Sequence, residues 1–240
     1  MKIFCDLHLH SCLSPCGDEE NTVGNLVGMA KLNGLDAIAL TDHNTAGNCR
    51  AAWTIGRQMD LVVVPGMELT TAEDIHVVCL FPDPDAAEAF GAEGRKNWTE
   101  IPNRPDIFGR QILLDERDEP AGEEPLLLTV ATAIPAERAL PLALSFGGTA
   151  FPAHVDKEAN SMAAVLGSVP KEYGFAAVEL SKGAGRAAED FYLCEGYKVV
   201  RSSDAHYLWQ LSEADFALEL PERSAAAIVK YFLPEGRENP

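Results

Sequence analysis

The sequence has little positive charge: 19 Lys and Arg residues stand against 37 Asp and Glu residues, giving a formal net charge of −18. A chain this acidic repels nucleic-acid backbones and anionic membranes, which argues against nonspecific binding to either. The same charge repels small anionic substrates, so a phosphorylated substrate would have to be attracted locally by bound cations. Acidity by itself selects no function, because many cytoplasmic enzymes are acidic.

Long apolar runs are also missing. The first ten residues, MKIFCDLHLH, already include acidic and polar side chains, and no later stretch approaches the roughly 20 apolar residues of a membrane-spanning helix. The six cysteines belong to a chain of 240 residues, which is too long for a small disulfide scaffold. We therefore predict a cytoplasmic protein with reduced thiols and no membrane partner.

Apolar runs and helical segments alternate along most of the chain. Helices are predicted over residues 22–33, 46–59, 158–166, 184–195 and 221–232. The runs between them are DAIALTDH, LVVVPGMELT, IHVVCLF, GTAFPAHVD, FAAVELSK and KVVRSSDAH, after a first strand over residues 2–7. Such runs are typical of parallel strands buried on both faces. About seven units of this kind predict an α/β barrel or an open doubly wound sheet, with the active site at the C-terminal strand ends.

Residues 83–148 do not follow this alternation. They contain the turn-like segments PDPD and NRPD and the charged run DERDEPAGEEP. They also contain LLLTVATAI, which is too apolar to stay solvated in a flexible linker. We predict that residues 1–240 form a single domain and that 83–148 are an inserted segment or small subdomain between the fourth and fifth core strands.

The histidines mark the ends of the predicted strands. His8 and His10 share one strand face because side chains alternate with period two, and Asp204 and His206 repeat this spacing. An isolated histidine is more often a hydrogen-bonded core residue than a metal ligand. Here, however, none of the six is left over: they are His8, His10, His43, His76, His154 and His206.

Carboxylates accompany these imidazoles, and Glu68 closes the third predicted strand. Mixed nitrogen and oxygen ligands suit zinc, manganese or iron and disfavour an all-thiolate site. A single zinc ion takes three or four protein ligands, so a set of eight or nine candidates predicts two or three divalent metal ions.

Six segments, DLHLHS, LTDHN, PGMELTT, IHVVCLF, FPAHVD and SSDAH, resemble in this order the motifs of the PHP (polymerase and histidinol phosphatase) superfamily. The resemblance covers nearly the whole chain outside residues 83–148. It implies a distorted (β/α)7 TIM-like barrel, the PHP fold, with two or three metals at its C-terminal face and hydrolysis of phosphomonoesters or phosphodiesters. The ligands that it implies are His8, His10, His43, Glu68, His76, His154, Asp204 and His206.

The loop after His10 departs from the pattern of a similar phosphoesterase branch. That branch has an Asp in an S-D-G sequence, where this chain has SPCGD, residues 14–18. Either Cys16 replaces the ligand, or Asp18 reaches back to the metal, or one metal position is lost and Cys16 is a plain loop residue. We favour Cys16 as a ligand, whose thiolate would select zinc or iron over manganese.

The chemistry predicted for such a site is attack on phosphorus by a metal-bound hydroxide. We find no Ser nucleophile elbow and no Walker loop, so nothing indicates a covalent intermediate. The predicted catalytic residues are Asp204 and His206, with His206 as ligand, proton donor or both. Asp42, next to His43, is added to them as a residue that orients an imidazole.

Cations near the strand ends are candidates for holding the substrate. Lys157 follows the fifth core strand, and Lys182 and Arg186 follow the sixth. Lys182 is the strongest candidate for a phosphate contact. The alternative is that all three are ordinary solvated surface charges.

These observations predict a metal-dependent phosphoesterase that acts on a small phosphorylated substrate such as a nucleotide, without a preference for long nucleic acid. One alternative is a nuclease on short single-stranded nucleic acid, which would show basic residues and exposed aromatic side chains. Another is a histidinol-phosphate phosphatase. A noncatalytic metal-binding regulatory domain is the third, and it is disfavoured because structural metal sites are closed and rarely multinuclear. The sequence does not predict an oligomeric state.

Overall fold

A computed structural model describes residues 1–236, which contain ten strands and eight α-helices. The strands are β1 (Lys2–Leu9), β2 (Ala37–Leu40), β3 (Val62–Thr70), β4 (His76–Leu80), β5 (Ile112–Leu114), β6 (Pro120–Glu123), β7 (Thr149–Pro152), β8 (Ala177–Ser181), β9 (Lys198–Ser202) and β10 (Ala217–Glu219). The helices are α1 (Val23–Leu32), α2 (Cys49–Gln58), α3 (Pro84–Arg95), α4 (Pro105–Phe108), α5 (Ala136–Ser145), α6 (Met162–Leu166), α7 (Arg186–Cys194) and α8 (Ala225–Tyr231).

Six strands form a curled, mixed half-barrel sheet in the order β10-β1-β2-β3-β4-β7. Backbone hydrogen bonds connect the parallel pair β8–β9 to this sheet at two places, next to β7 and next to β1. The N–H of Val155, beyond β7, donates to the carbonyl of Glu179 in β8 at 2.9 Å, and the N–H of His10 donates to the carbonyl of Ala205, beyond β9, at 3.0 Å. The α/β class is confirmed, while the count of seven β/α units stays a prediction.

The prediction of parallel core strands is correct only in part, because the sheet is mixed. Strands β1, β2 and β3 are parallel, but β4 runs antiparallel to both β3 and β7, and β10 runs antiparallel to β1. Residues 71–75 alone connect β3 to β4, whereas a parallel crossover needs a dozen or more residues. The reversal places His76, at the start of β4, opposite Thr70, at the end of β3. The start of β4 therefore lies at the same sheet edge as the ends of its neighbours.

Helix starts follow the capping residues. Helix α1 begins after Thr22, whose side chain accepts from the N–H of Asn25, and the chain leaves the helix at Gly34, with a φ of 76°. Two other helices begin later than predicted because the hydroxyls of Ser161 and Ser224 cap α6 and α8 in the same way. Helix α2 also starts later than predicted, at Cys49, and the side chain of Asn48 contacts Ser11 and residues of β5 instead of capping it.

Apolar side chains form two core clusters, one between the sheet and α1–α3 and α5, and one that includes α8. Helices from the segment 83–148 contribute to the first: Phe90 of α3 is buried against Phe81, with ring centroids 4.9 Å apart. The β5–β6 hairpin of the same segment contacts the loop after β1, where the N–H of Ile112 donates to the carbonyl of Cys12 at 2.9 Å. That residues 83–148 are an insertion stays a prediction. Within residues 1–236, no helix combines the length and apolar character needed to cross a membrane.

Candidate metal centre

All six imidazoles meet at the sheet edge where β1, β2 and β3 end, and five of them surround the carboxylate of Glu68. This side chain is 1% exposed, so its charge is screened little by water. Glu68 Oε1 lies 2.8 Å from His76 Nδ1 and 3.3 Å from Nε2 of both His8 and His154. Its Oε2 lies 3.0 Å from His43 Nδ1 and 3.3 Å from His10 Nε2. The sixth ring, that of His206, stacks on His10 with centroids 4.2 Å apart.

A second carboxylate enters the cluster from the turn after β9. Asp204 Oδ1 lies 3.2 Å from His10 Nε2 and 3.4 Å from His8 Nε2. Asp204 itself has a φ of 53°, a left-handed conformation that non-glycine residues seldom adopt. Buried Asp6 stabilises this turn by accepting from the N–H groups of Ser203 and Ser212.

Three groups of side chains have the spacing to hold a metal ion, with candidate ligand atoms within 4.8 Å of one another in each group. Glu68, His10 and His43 each belong to two of the groups, so the groups overlap. A shared carboxylate such as Glu68 can bridge two ions with its two oxygens, whereas an imidazole with one free nitrogen binds a single ion. The groups are His8, His10, Glu68 and Asp204; His10, His43 and His206; and His43, Glu68 and His76.

The residues present fit a cation. Glu68 Oε2, His43 Nδ1 and His154 Nδ1 are buried and make no hydrogen bond of good geometry, although the first two atoms lie 3.0 Å apart; such atoms cost about 1–3 kcal/mol each when left unpaired. A cation coordinated by Glu68 and His43 would remove two of these three deficits. Carboxylate oxygen and imidazole nitrogen are also suitable ligands for first-row divalent metals.

The electrostatics of the cluster point the same way. Burial by itself would raise the pKa of Glu68, but the imidazoles of His76, His8 and His43 hold it well below its usual value. Burial would likewise lower the pKa of His10, yet the carboxylates of Asp204 and Glu68 raise it to about 9. The buried carboxylates thus stay ionised and attract positive charge, which protons or metal ions can supply.

Glu179 completes the centre and was missed by the sequence reasoning. It is fully buried in β8, and both of its carboxylate oxygens lie 3.1 Å from His8 Nδ1. It also accepts from the N–H of His154 at 3.1 Å. A proton held on Nδ1 by Glu179 leaves the lone pair of His8 Nε2 directed at the metal-binding group. The sequence signal for a functional role of Glu179 was its position, since it is a charged residue between the apolar residues Val178 and Leu180.

The loop after β1 orients His10 in a similar way. The hydroxyl of Ser14 donates to Asp42 at 2.7 Å, so its oxygen is left to accept from His10 Nδ1 at 3.0 Å. The proton therefore lies on Nδ1 of His10, and Nε2 faces the cluster. Asp42 also accepts from the N–H and the hydroxyl of Ser11, at 2.8 and 2.7 Å. Asp42 thus orients His10, through Ser14, rather than the adjacent His43.

A cavity of about 620 Å³ opens beside Asp204 and His206. Lys157 and Lys182 both line it, and Lys157 Nζ lies 2.5 Å from Asp204 Oδ2. Arg186, the third predicted substrate-binding cation, lies outside this lining. Its side chain is 90% exposed and its Nε lies 3.8 Å from Asp190 in the same helix.

A family model of the PHP domain matches residues 6–177. The chain belongs to the PHP domain family. The matched region contains five of the six clustered histidines and Glu68. Glu179, Asp204 and His206 lie beyond it and join the PHP centre through the tertiary structure. No curated protein sequence matches the chain significantly.

Solved structures show the same fold at low sequence identity. The lesion-specific endonuclease PfuEndoQ from Pyrococcus furiosus aligns with a TM-score of 0.70 and 16% identity, over 97% of this chain and 56% of that one. An endonuclease Q in complex with a 27-mer duplex that has an abasic lesion at the active site aligns with a TM-score of 0.62 and 16% identity, over 87% of this chain and 50% of that one. This PHP chain therefore spans about half the length of the two endonucleases.

A protein from Bifidobacterium adolescentis, provisionally named a metal-dependent phosphoesterase, is similar over a larger share of its own length. It aligns with a TM-score of 0.60 and 17% identity, over 88% of each chain. At these identities the likeness is one of fold.

Cys16 and Asp18, the two residues predicted to replace the Asp of the similar phosphoesterase branch, differ in their surroundings. Cys16 lines the cavity with Asp204 and His206. The carboxylate of Asp18 accepts from the N–H of Glu20 at 2.8 Å and so caps its own turn. Neither residue belongs to the three metal-binding groups found among residues 1–236. Cys16 as a ligand stays a prediction.

Proposed function

We propose that this PHP protein is a metal-dependent phosphoesterase that hydrolyses a phosphomonoester or phosphodiester of a small molecule, with nucleotides as the substrate class. The observation that carries the proposal is the buried cluster of shared carboxylate and imidazole ligands, which opens into a cavity lined by Lys157 and Lys182. Multinuclear sites of this composition suit attack on phosphorus better than a structural role, because structural metal sites are closed.

The proposed cofactors are two or three divalent ions of zinc, iron or manganese, held by the residues of the three groups with His154 beside them. When bound, such ions polarise a phosphoryl oxygen and lower the pKa of a coordinated water. The protein's own contribution is orientation. Glu179 and Ser14 hold the Nδ1 protons of His8 and His10, so that both Nε2 atoms face the ions.

His206 is best assigned as a ligand. Burial, together with nearby His10, lowers its pKa to about 3, which leaves the imidazole neutral at pH 7 and unsuited to donate a proton. Its Nδ1 lies 2.8 Å from the carbonyl of Asp204, an arrangement that directs Nε2 away from the backbone. Lys157 and Lys182 are proposed to neutralise the charge of the substrate phosphate; Arg186 is a weaker candidate because it lies outside the cavity lining.

The finer architecture belongs to the same proposal. We take residues 1–240 as a single PHP domain whose strands β1, β2, β3, β4, β7, β8 and β9 form the distorted (β/α)7 barrel, with residues 83–148 as its insertion. Supporting this, backbone hydrogen bonds connect Val155 with β8 and His10 with Ala205.

A nuclease is the second candidate function. It is favoured by one observation, the fold shared with endonuclease Q, one structure of which has a 27-mer duplex substrate with an abasic lesion at the active site. It stays second because the net charge of −18 opposes binding to a long polyanion.

Metal analysis combined with a substrate panel tests the proposal. Purified protein should contain at least two equivalents of zinc, iron or manganese, and it should release phosphate from nucleotides faster than from histidinol phosphate. Turnover of a short single strand or a duplex in preference to every small substrate would favour the nuclease. Less than one equivalent of metal after reconstitution, or no hydrolysis of any phosphoester, would contradict the proposed function.

A further inference from the structure

Two exposed aromatic side chains lie beside the metal centre with no packing role. Tyr207 and Trp209 are 43% and 78% exposed. Their rings are stacked, with centroids 5.9 Å apart and planes inclined by 25°. Both line the cavity that contains Asp204, His206 and the two lysines. Nothing in the core explains an indole at this place.

Hydrogen bonds fix the backbone that presents the aromatic pair beside the cluster. Both residues belong to a tight turn around the 3-10 segment Leu208–Gln210. The side-chain oxygen of Gln210 accepts from the N–H groups of His206, at 2.8 Å, and Tyr207, at 3.1 Å. Buried Leu211 anchors the end of the turn in the core. Because the backbone of this turn is ordered before binding, a ligand that stacks on the pair does not have to order it.

The chemistry around the pair matches a nucleotide. Lys157, which is paired with Asp204, and Lys182 place two ammonium groups in one cavity of a strongly acidic protein, which suits a phosphate. The exposed rings of Tyr207 and Trp209 offer a stacking surface, which suits any nucleobase because every base has a π-face. The cavity volume of about 620 Å³ falls in the roughly 300–1,000 Å³ range of small-molecule sites. A sugar phosphate would use the lysines and leave the indole unused.

We propose that the Tyr207–Trp209 pair is a base-stacking platform, which holds the nucleobase of the substrate while its phosphoester lies at the metal centre. The inference rests on the proposed phosphoesterase function and specifies its substrate as one with a base next to the scissile phosphate. Either a free nucleotide or the terminal nucleotide of a single strand supplies that chemistry.

The kinetic test compares substrates with and without a base. kcat/KM is measured for a mononucleotide, a short single-stranded oligonucleotide and ribose 5-phosphate, in the wild type and in Trp209→Ala, Trp209→Phe and Phe191→Ala. Phe191 is a matched exposed aromatic outside the cavity lining. In Trp209→Ala, the ratio of kcat/KM for the nucleotide to that for ribose 5-phosphate should fall roughly 5- to 150-fold, the range for loss of one stacked base. Trp209→Phe should recover most of the ratio, and Phe191→Ala should leave it unchanged.

A binding measurement keeps the inference separate from catalysis. Adenosine should quench the tryptophan fluorescence of the wild-type protein and ribose should not, and the quenching should be lost in Trp209→Phe, which leaves the other two tryptophans in place. Neither ligand has a phosphate, so the result does not depend on turnover. Melting temperatures of the variants check that the fold is intact.

The outcomes are distinguishable. Equal losses on nucleotide and ribose 5-phosphate in Trp209→Ala, or no quenching by adenosine, would overturn the platform while leaving the phosphoesterase in place. Adenosine quenching without hydrolysis of any phosphoester would support the platform and sink the proposed function. A higher kcat/KM for the oligonucleotide than for the mononucleotide would identify a strand end as the source of the base.

Discussion

The bottom and the opening of the metal centre are built differently. Its floor, which we define as His8, His10, Glu68 and Glu179, is at most 1% exposed, and every side chain contacts two or more polar partners. Its rim, which we define as Lys157, Lys182, Tyr207 and Trp209, is exposed and linked to the floor through Asp204 and the turn that follows it.

This difference separates two tasks. Buried charges interact strongly, and removing one partner of such a pair strongly destabilises the fold. A floor of this kind therefore holds one arrangement of its side chains. Exposed side chains interact weakly with their neighbours and can be exchanged at little cost in stability. We infer that the floor carries the chemistry and that the rim selects the substrate.

The largest effect is expected at the centre of the floor. Glu68→Gln keeps the shape of the side chain but removes the negative charge that two metal-binding groups share. We expect hydrolysis to fall more than about 100-fold, beyond the range for residues that merely support ligands, with loss of bound metal. Metal analysis and kcat measure this, and exposed Glu116→Gln is the control. A variant that keeps both metal and activity would remove Glu68 from the ligand set.

An intermediate effect is expected at the outer side of the floor. Glu179→Gln can still accept from His8 Nδ1 but no longer supplies the charge that makes the imidazole a stronger ligand. Metal affinity should fall about 10- to 100-fold, with activity recovered at high metal concentration. A metal titration of activity measures the shift, and Glu172→Gln on the surface is the control. Unchanged affinity would show that Glu179 only fills space.

Cys16 lines the same cavity as the rim, and its substitution tests whether a ligand lies outside the floor. If the thiolate is a ligand, Cys16→Ser should weaken zinc or iron binding roughly 10-fold, the lower end of the range for supporting residues, and manganese binding less. Asp18→Asn should be nearly silent, because that carboxylate caps a turn. The opposite ranking of the two variants in metal affinity would assign the ligand to Asp18.

The smallest effect is expected at the rim. Lys157→Ala or Lys182→Ala should raise KM roughly 2- to 5-fold, because an exposed ion pair contributes only about 0.2–1 kcal/mol, while kcat changes little. Arg186→Ala is the control, since that side chain lies outside the cavity lining. A large loss of kcat in either lysine variant would show that the rim takes part in the chemistry and would contradict the division of tasks between floor and rim.

Local sequence signals determined a large part of this molecule. The period-two spacing of His8 and His10 places both rings on one strand face, and Thr22 and Gly34 mark the ends of α1. The strand-end histidines and the motif order indicated the PHP family, which the match over residues 6–177 confirms. The strand-face spacing and the helix ends depend on residues that are close in sequence, so they can be predicted without knowledge of the tertiary structure.

The tertiary structure alone decided the rest. In the folded chain β4 is antiparallel to β3, and Glu179 contacts His8 across a separation of 171 residues. Asp42 contacts Ser14, which in turn contacts His10. The Tyr207–Trp209 pair is exposed beside the cavity. The sequence does not reveal which side chain a carboxylate in an apolar strand will contact, because that partner depends on how the sheet curls. The sequence by itself thus determined which side chains could bind metal, and the packing of distant segments decided which of them are oriented to do so.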